Sequence, residues 1–194
     1  MSLPTSSTTS ATPAASGVDS GRQNSESGLS PAINEREFRD TLGRFATGVT
    51  VVTALADDGR PIGVTISSFN SVSLDPPLVL WSLSLNSPNL EAFRNAAHYS
   101  VNILAADQQE LSNRFASRRN DRFTDIPTRP GLSGIPLIES CCAWFECSNE
   151  AHYPGGDHLI FVGRVERFAK GEAEAPLIFH NARYRLLGDI PPSD

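Results

Sequence analysis

Four short stretches concentrate the side chains that could do chemistry. Residues 65–73 read Thr-Ile-Ser-Ser-Phe-Asn-Ser-Val-Ser. Hydroxyls and a carboxamide at this density, where a strand runs into a turn, can hold a phosphate or the edge of a flat heterocycle. The same residues also suit a polar strand edge with hydroxyl-capped turns. Asn86-Ser-Pro-Asn89 reads as a helix start, with Ser87 as N-cap and Pro88 at the first helical position, and the free N–H groups at such an end attract anions. Arg114, Arg118, Arg119 and Arg122 crowd one helix end and the loop after it. They form either a solvated basic loop or a guanidinium clamp for an anionic dinucleotide. Gly156-Asp157-His158 follows a glycine turn and opens a strand, which can present an imidazole at the mouth of a sheet.

Cys141, Cys142 and Cys147 lie near His152 and His158, which raises a metal reading. No Cys-x-x-Cys pair exists, and a strand over 140–148 would send Cys141 and Cys147 to one side and Cys142 to the other, so buried free thiols fit better. There is no Gly-x-x-x-x-Gly-Lys, no Gly-x-Gly-x-x-Gly after a strand and no Gly-x-Ser-x-Gly elbow. A phosphate-binding P-loop, a Rossmann site and a serine hydrolase are thereby unsupported. Their absence suits a reaction whose chemistry a bound cofactor carries.

The elements that must position these residues follow from periodicity. Asn34-Glu-Arg-Glu37 has the form of a capping box, and Phe38, Leu42, Phe45 and Ala46 share one helical face, predicting a helix that stops at Gly48. Residues 49–56 and 62–66 are β-rich around an Asp57-Asp-Gly-Arg60 turn, so they predict a hairpin. Further strands are expected at 78–85, 99–104, 140–151 and 158–168, and a short helix opening at Asp107 and Glu110 carries Leu111 and Phe115. Residues 117–137 read as loop. Some six strands with two or three short helices and no strand–helix–strand alternation point to a closed antiparallel barrel with peripheral helices.

At the scale of the whole chain, 194 residues with a formal charge of −6 predict one domain with an acidic surface. That balance argues against nonspecific nucleic-acid or anionic-membrane binding. The longest apolar stretch, Leu78 to Leu85, is far short of the roughly 20 residues of a membrane span. Three cysteines form no disulfide framework and suit a reducing, cytoplasmic setting. Residues 1–30 hold nine Ser and four Thr with almost no large apolar side chain. They cannot offset their ordering entropy and are expected to be a disordered tail ahead of a folded unit at 31–194.

Five segments, taken together and in order, are similar to a known family. They are Phe45-Ala-Thr-Gly-Val-Thr-Val-Val-Thr53, Gly63 through Val79, Val101-Asn-Ile-Leu104, Phe115-Ala116, and Gly156-Asp-His158 followed by Val162-Gly-Arg-Val165. They resemble the short-chain flavin reductases of two-component flavin monooxygenases, over about residues 35–189. The resemblance implies a mainly β fold, a split antiparallel barrel with short peripheral α-helices, usually a homodimer with flavin near the subunit interface. It implies that NADH or NADPH reduces FMN or FAD, which leaves to serve a separate flavin-dependent monooxygenase, with no nucleic-acid or membrane partner.

Roles follow from the same resemblance. Thr65, Ile66, Ser67, Ser68 and Phe69, with Ser71 and Val72, match the segment lining the flavin ring and ribityl chain. Asn86, Ser87 and Asn89 match the segment near its phosphate. Phe115, Ala116, Ser117 and Arg118 match a further flavin-side segment. Tyr184 and Arg185 match a pair near the bound dinucleotide, and His158 matches the catalytic-side histidine by the nicotinamide. The resemblance leaves open FMN against FAD and NADH against NADPH. Two other readings stand beside it. One is a flavin-retaining oxidase of the pyridoxamine-phosphate oxidase type, and the other is a non-catalytic flavin-binding module on the same barrel.

Overall fold

Hairpins dominate the chain, with helices only where a strand must be carried to a new edge. The computed structural model describes residues 33–119 and 121–188; the expected tail lies outside them. In chain order the elements are α1 (Glu35–Leu42), β1 (Thr47–Gly48), β2 (Thr50–Leu55), β3 (Pro61–Ile66), β4 (Asn70–Leu74), β5 (Pro77–Ser84), α2 (Leu90–Asn95) and β6 (His98–Ile103). They continue with α3 (Gln109–Ala116), β7 (Thr128–Pro130), β8 (Pro136–Ile138), β9 (Ala143–Gly155), β10 (His158–Lys170), β11 (Ile178–His180) and β12 (Arg183–Arg185). Seven strands form one antiparallel sheet in the order β3-β2-β6-β9-β10-β5-β4, while β1-β11-β12 and β7-β8 form two small ones.

The outer strands of the large sheet, β3 and β4, are consecutive and separated only by residues 67–69. So short a link forces the sheet to curl until its edges meet at that corner. Ser68 fastens the corner: its hydroxyl donates to the Ser82 carbonyl at 3.2 Å and accepts the Ser82 N–H at 3.0 Å. Among the described residues β3 and β4 do not pair with each other, so the sheet is curled but not hydrogen-bonded into the closed barrel that the element order suggested.

Curling gives the sheet two buried faces, which is why β2 is apolar without alternation. Val52 and Ala54 face inward with Trp81, Phe93, Tyr99, Val101 and Phe161. Val51, with neighbouring Val49, faces outward under Leu104, Phe115, Leu137, Trp144 and Leu177. Fully buried side chains such as Phe93 and Phe161 each contribute about 1.5–3 kcal/mol relative to exposure. Inside, Trp81 stacks on Phe161 at 4.3 Å and meets Tyr99 edge-on at 5.5 Å. Gly163 makes this packing possible, because a Cβ there would run into the Tyr99 hydroxyl.

Several boundaries differ from the periodicity reading. Asn34 does cap α1, its side chain accepting the Arg36 and Glu37 N–H groups, but the helix ends at Leu42 with Gly43 as C-cap. Gly48 lies instead in β1, where Thr47 pairs with Phe179. No residue of α1 is buried, and Phe38, Leu42 and Phe45 are 52%, 56% and 77% exposed. The expected apolar face exists, but among the described residues nothing covers it. α2 starts at Leu90, not at Ser87 and Pro88. The Leu90 N–H bonds to the Ser87 carbonyl, making that stretch a turn ahead of the helix. Within the expected loop at 117–137, β7 and the start of β8 pair, and the buried carboxylate of Glu146 accepts the Leu132 N–H. Side-chain anchoring of this kind leaves no periodic trace in sequence.

Candidate functional site

β3 and α3 build the site, and a glycine brings them together. Alternation along β3 turns Gly63 and Thr65 toward α3. On α3, Ser112 and Phe115 are three residues apart, share a face and are buried. The Phe115 ring occupies the space above Gly63: a Cβ there would lie 2.5 Å from it. Phe123 then closes edge-on against Phe115 at 4.9 Å. Two polar contacts fix the register. Thr65 Oγ1 donates to the Ser112 carbonyl at 2.6 Å, and Arg122 Nη1 donates to the Gly63 carbonyl at 2.8 Å. The C-terminal hairpin is tied to the same helix, since the Tyr184 hydroxyl donates to Asn113 Oδ1 at 2.8 Å.

Three adjoining hollows follow from this arrangement. A slot of about 180 Å³ lies between Thr65, Ile66 and Ser67 on one side and Phe179 and Tyr184 on the other, with Ser112 and Ala116 at its floor. A second hollow of about 220 Å³ shares Ala116 and adds Ser84, Asn86, Ser87, Phe115, Ser117, Arg118 and Arg122. A third, of about 600 Å³, shares Asn86, Arg118 and Arg122 and adds Arg60, Asn89, Arg119 and Phe123. The track therefore runs from an apolar, hydroxyl-edged slot to an arginine-lined end. Such a gradient fits a flat ring system carrying a phosphate tail. A larger cleft of about 670 Å³ on the other side of α3 mixes Asp107, Glu110 and Glu139 with Arg114 and Arg119, and has no such gradient.

Most of the residues singled out in sequence meet on the track: Thr65, Ile66, Ser67, Asn86, Ser87, Asn89, Phe115, Ala116, Ser117, Arg118 and Tyr184. Others do not. Ser68 serves the β3–β4 corner, and Phe69 packs on Phe145 at 5.5 Å. Ser71 and Val72 are exposed on the edge strand β4, and Arg185 is exposed on β12. His158 opens β10 directly across from Ser84, a residue of the middle hollow. Its Nδ1 lies 2.7 Å from Asp157 Oδ1. The hydrogen bond from His158 holds the Asp157 carboxyl below the usual carboxylate range. An ionised Asp157 keeps the proton on Nδ1 and turns the other ring nitrogen outward as an acceptor.

Sequence reasoning passed over Ser112, Gly63 and Phe179, and left Arg122 undecided. Ser112 carried a signal in its spacing from Phe115; Phe179 carried none, because β11 is only three residues long. The thiols take no part. Burial pushes Cys141 and Cys147 up to about 12 and raises Cys142 as well, so they stay protonated and unreactive at neutral pH. Among the described residues no group of three or more His, Cys, Asp or Glu is placed to hold a metal, and no helix is long and apolar enough to cross a membrane.

Comparison with known proteins gives a consistent picture. Residues 42–188 match the flavin reductase like domain. The FMN reductase (NADH) SmoA of Agrobacterium fabrum is 46% identical over 151 residues, covering 78% of this chain and 85% of SmoA. The reductase component of the flavin-dependent trigonelline monooxygenase of Acinetobacter baylyi is 46% identical over 138 residues, covering 71% of this chain and 44% of that protein. The chain thus spans less than half the length of some relatives it matches. Nitrilotriacetate monooxygenase component B from Mycobacterium thermoresistibile superimposes with a TM-score of 0.77 at 35% identity, covering 82% of this chain and 91% of that one.

Proposed function

The chain belongs to the flavin reductase like domain family, and on that premise we propose that it reduces a flavin with NADH or NADPH and releases it to a separate monooxygenase. The observation that carries this reading is the track itself, which grades from a hydroxyl-edged apolar slot to arginines across three hollows that share lining residues. Bound there, a flavin would supply the redox chemistry by accepting a hydride from the nicotinamide. What the chain supplies is placement. Thr65, Ile66 and Ser67 line one wall of the slot for the ring, with Tyr184 and Phe179 on the other. Ser87, Ser117 and Arg118 receive the phosphate, and His158 orients the nicotinamide side. Holding two rings in contact geometry is worth several kcal/mol without any strong acid or base.

The curled sheet with unpaired outer edges is a split barrel in this reading. The exposed apolar side chains Phe38 and Leu42 of α1 and Phe45 just after it, uncovered among the described residues, favour a homodimer, and the protonated thiols are compatible with the cytoplasm.

The test follows NADH and NADPH absorbance with and without added FMN, FAD or riboflavin. Oxidation that depends on free flavin, from a protein that purifies without colour, is the expected result. A yellow protein that needs no NADH would favour the oxidase. Flavin binding with no nucleotide oxidation would favour the non-catalytic module.

A further inference from the structure

Resting on the reductase reading, we propose that the cleft between Arg60 and Arg122 holds the adenylate half of FAD, so that this chain selects FAD over FMN. A site for FMN alone would end at Ser87, Ser117 and Arg118 in the middle hollow. The groove does not end there. It opens into a space of about 600 Å³, against about 220 Å³ for the hollow before it, a size within the ordinary range for a small-molecule site.

The chemistry of that space is specific. Four arginines line it and no carboxylate does, in a chain whose formal charge is −6. Arg60 and Arg119 are partly answered from outside, by Asp58 at 3.7 Å and Asp121 at 2.9 Å. Among the described residues Arg118 and Arg122 have no carboxylate partner. Arg122 is the more telling. One Nη is held by the Gly63 carbonyl at 2.8 Å, and among the described residues its buried Nε has no partner. A cation with an unanswered buried N–H is costly. Arg122 lines the cleft, and a guanidinium can take two phosphate oxygens at once. Phe123, held edge-on by Phe115, gives the same cleft an apolar wall suited to a purine.

An adenosine pyrophosphate group also occurs in NADH. FAD is the better occupant, because the cleft shares Asn86, Arg118 and Arg122 with the hollow that takes the flavin phosphate.

The experiment titrates FAD, FMN and riboflavin into the full chain by fluorescence, for the parent protein, Arg60→Gln and Arg122→Gln. The parent should bind FAD at least about tenfold more tightly than FMN. Arg60→Gln should weaken FAD by about three- to tenfold and leave FMN within about twofold, whereas Arg122→Gln, which also lines the hollow of the flavin phosphate, should weaken both. Arg60 is exposed, so its variant keeps the test alive if Arg122→Gln fails to fold. A second arm measures the KM for NADH with riboflavin as acceptor. Equal affinities for FAD and FMN in the parent, or parallel losses of both in Arg60→Gln, would overturn the inference while leaving the reductase reading intact. So would a raised KM for NADH with FAD binding unchanged, since the cleft would then serve the nucleotide. Absence of any flavin binding by the parent would overturn both.

Discussion

The Tyr184 hydroxyl lies 2.9 Å from Ser112 Oγ, which joins the last strand of the chain to the buried face of α3. Tyr184 spends its own proton on Asn113 Oδ1, so Ser112 donates to Tyr184. Ser112 also receives Thr65 at its carbonyl. One helical residue therefore sets both walls of the slot.

Tyr184→Phe removes both phenolic hydrogen bonds and should lower stability by about 1–2 kcal/mol, at about 0.5–1.5 kcal/mol per bond. Flavin affinity should fall with it, because the wall formed by β12 loosens. Ser112→Ala breaks one of the same bonds. The two changes should therefore be less than additive when combined, by about 0.5–1.5 kcal/mol in urea unfolding. Strict additivity would mean that the two residues act independently.

What could be read from the chain before folding divides along physical lines. The β2–β3 hairpin and the strands β5, β6, β9 and β10 are long and strongly apolar, and they stand within a few residues of where periodicity put them. The residues of the slot were legible for a similar reason. Thr65 to Ser67 form one dense polar run, whereas Ala116 was reached only through the family resemblance. The extent of α1 was misjudged because the apolar repeat continues through Phe45, while Gly43 already caps the helix. Periodicity records which residues are apolar, not which element, if any, covers them. Ser112 was passed over and Arg122 left undecided because their roles depend on contacts across 72 and 59 residues of sequence.

Gly63→Ala tests the packing that seats α3 on β3. The added Cβ would meet the Phe115 ring at 2.5 Å. That ring cannot rotate away, being buried and flanked by Phe123. Overpacking of this kind costs about 1–3 kcal/mol. The strain falls on the joint between slot and arginine cleft, so flavin affinity should drop along with the urea midpoint. A variant with parental stability and parental affinity would show that Phe115 has another place to go.

His152 gives the stability a pH dependence. Its Nε2 lies 2.8 Å from Asn149 Oδ1, and its ring meets Phe161 edge-on at 4.8 Å. Burial, with the Arg94 charge as the smaller cause, lowers its pKa from 6.5. The unfolded chain then takes up the proton at a higher pH than the folded one. This contribution to stability is fully present above pH 6.5 and declines as the pH falls from there toward the folded value. His152→Gln removes the titration and should flatten the fall in urea midpoint between pH 7 and pH 5. An unaltered slope would assign the effect to other groups.

His158→Ala separates the two ends of the site. His158 begins β10 opposite Ser84, next to the hollow but outside its lining, and Asp157 fixes its tautomer through the 2.7 Å contact. In the proposed reading it meets the nucleotide rather than holding the flavin. Because the chain contributes ring placement and not proton transfer, the loss should be moderate, about 1–3 kcal/mol of transition-state stabilisation, or roughly 10- to 100-fold in rate. The KM for the pyridine nucleotide should rise, while flavin affinity by fluorescence titration stays close to the parent's. Asp157→Asn should give a weaker version of the same defect, since it frees the tautomer but keeps the ring. Should His158→Ala abolish flavin binding and leave the nucleotide response untouched, the two sides of the site would have to be exchanged. His158 would then face the flavin, and the arginine end of the groove would become the place to look for the nucleotide.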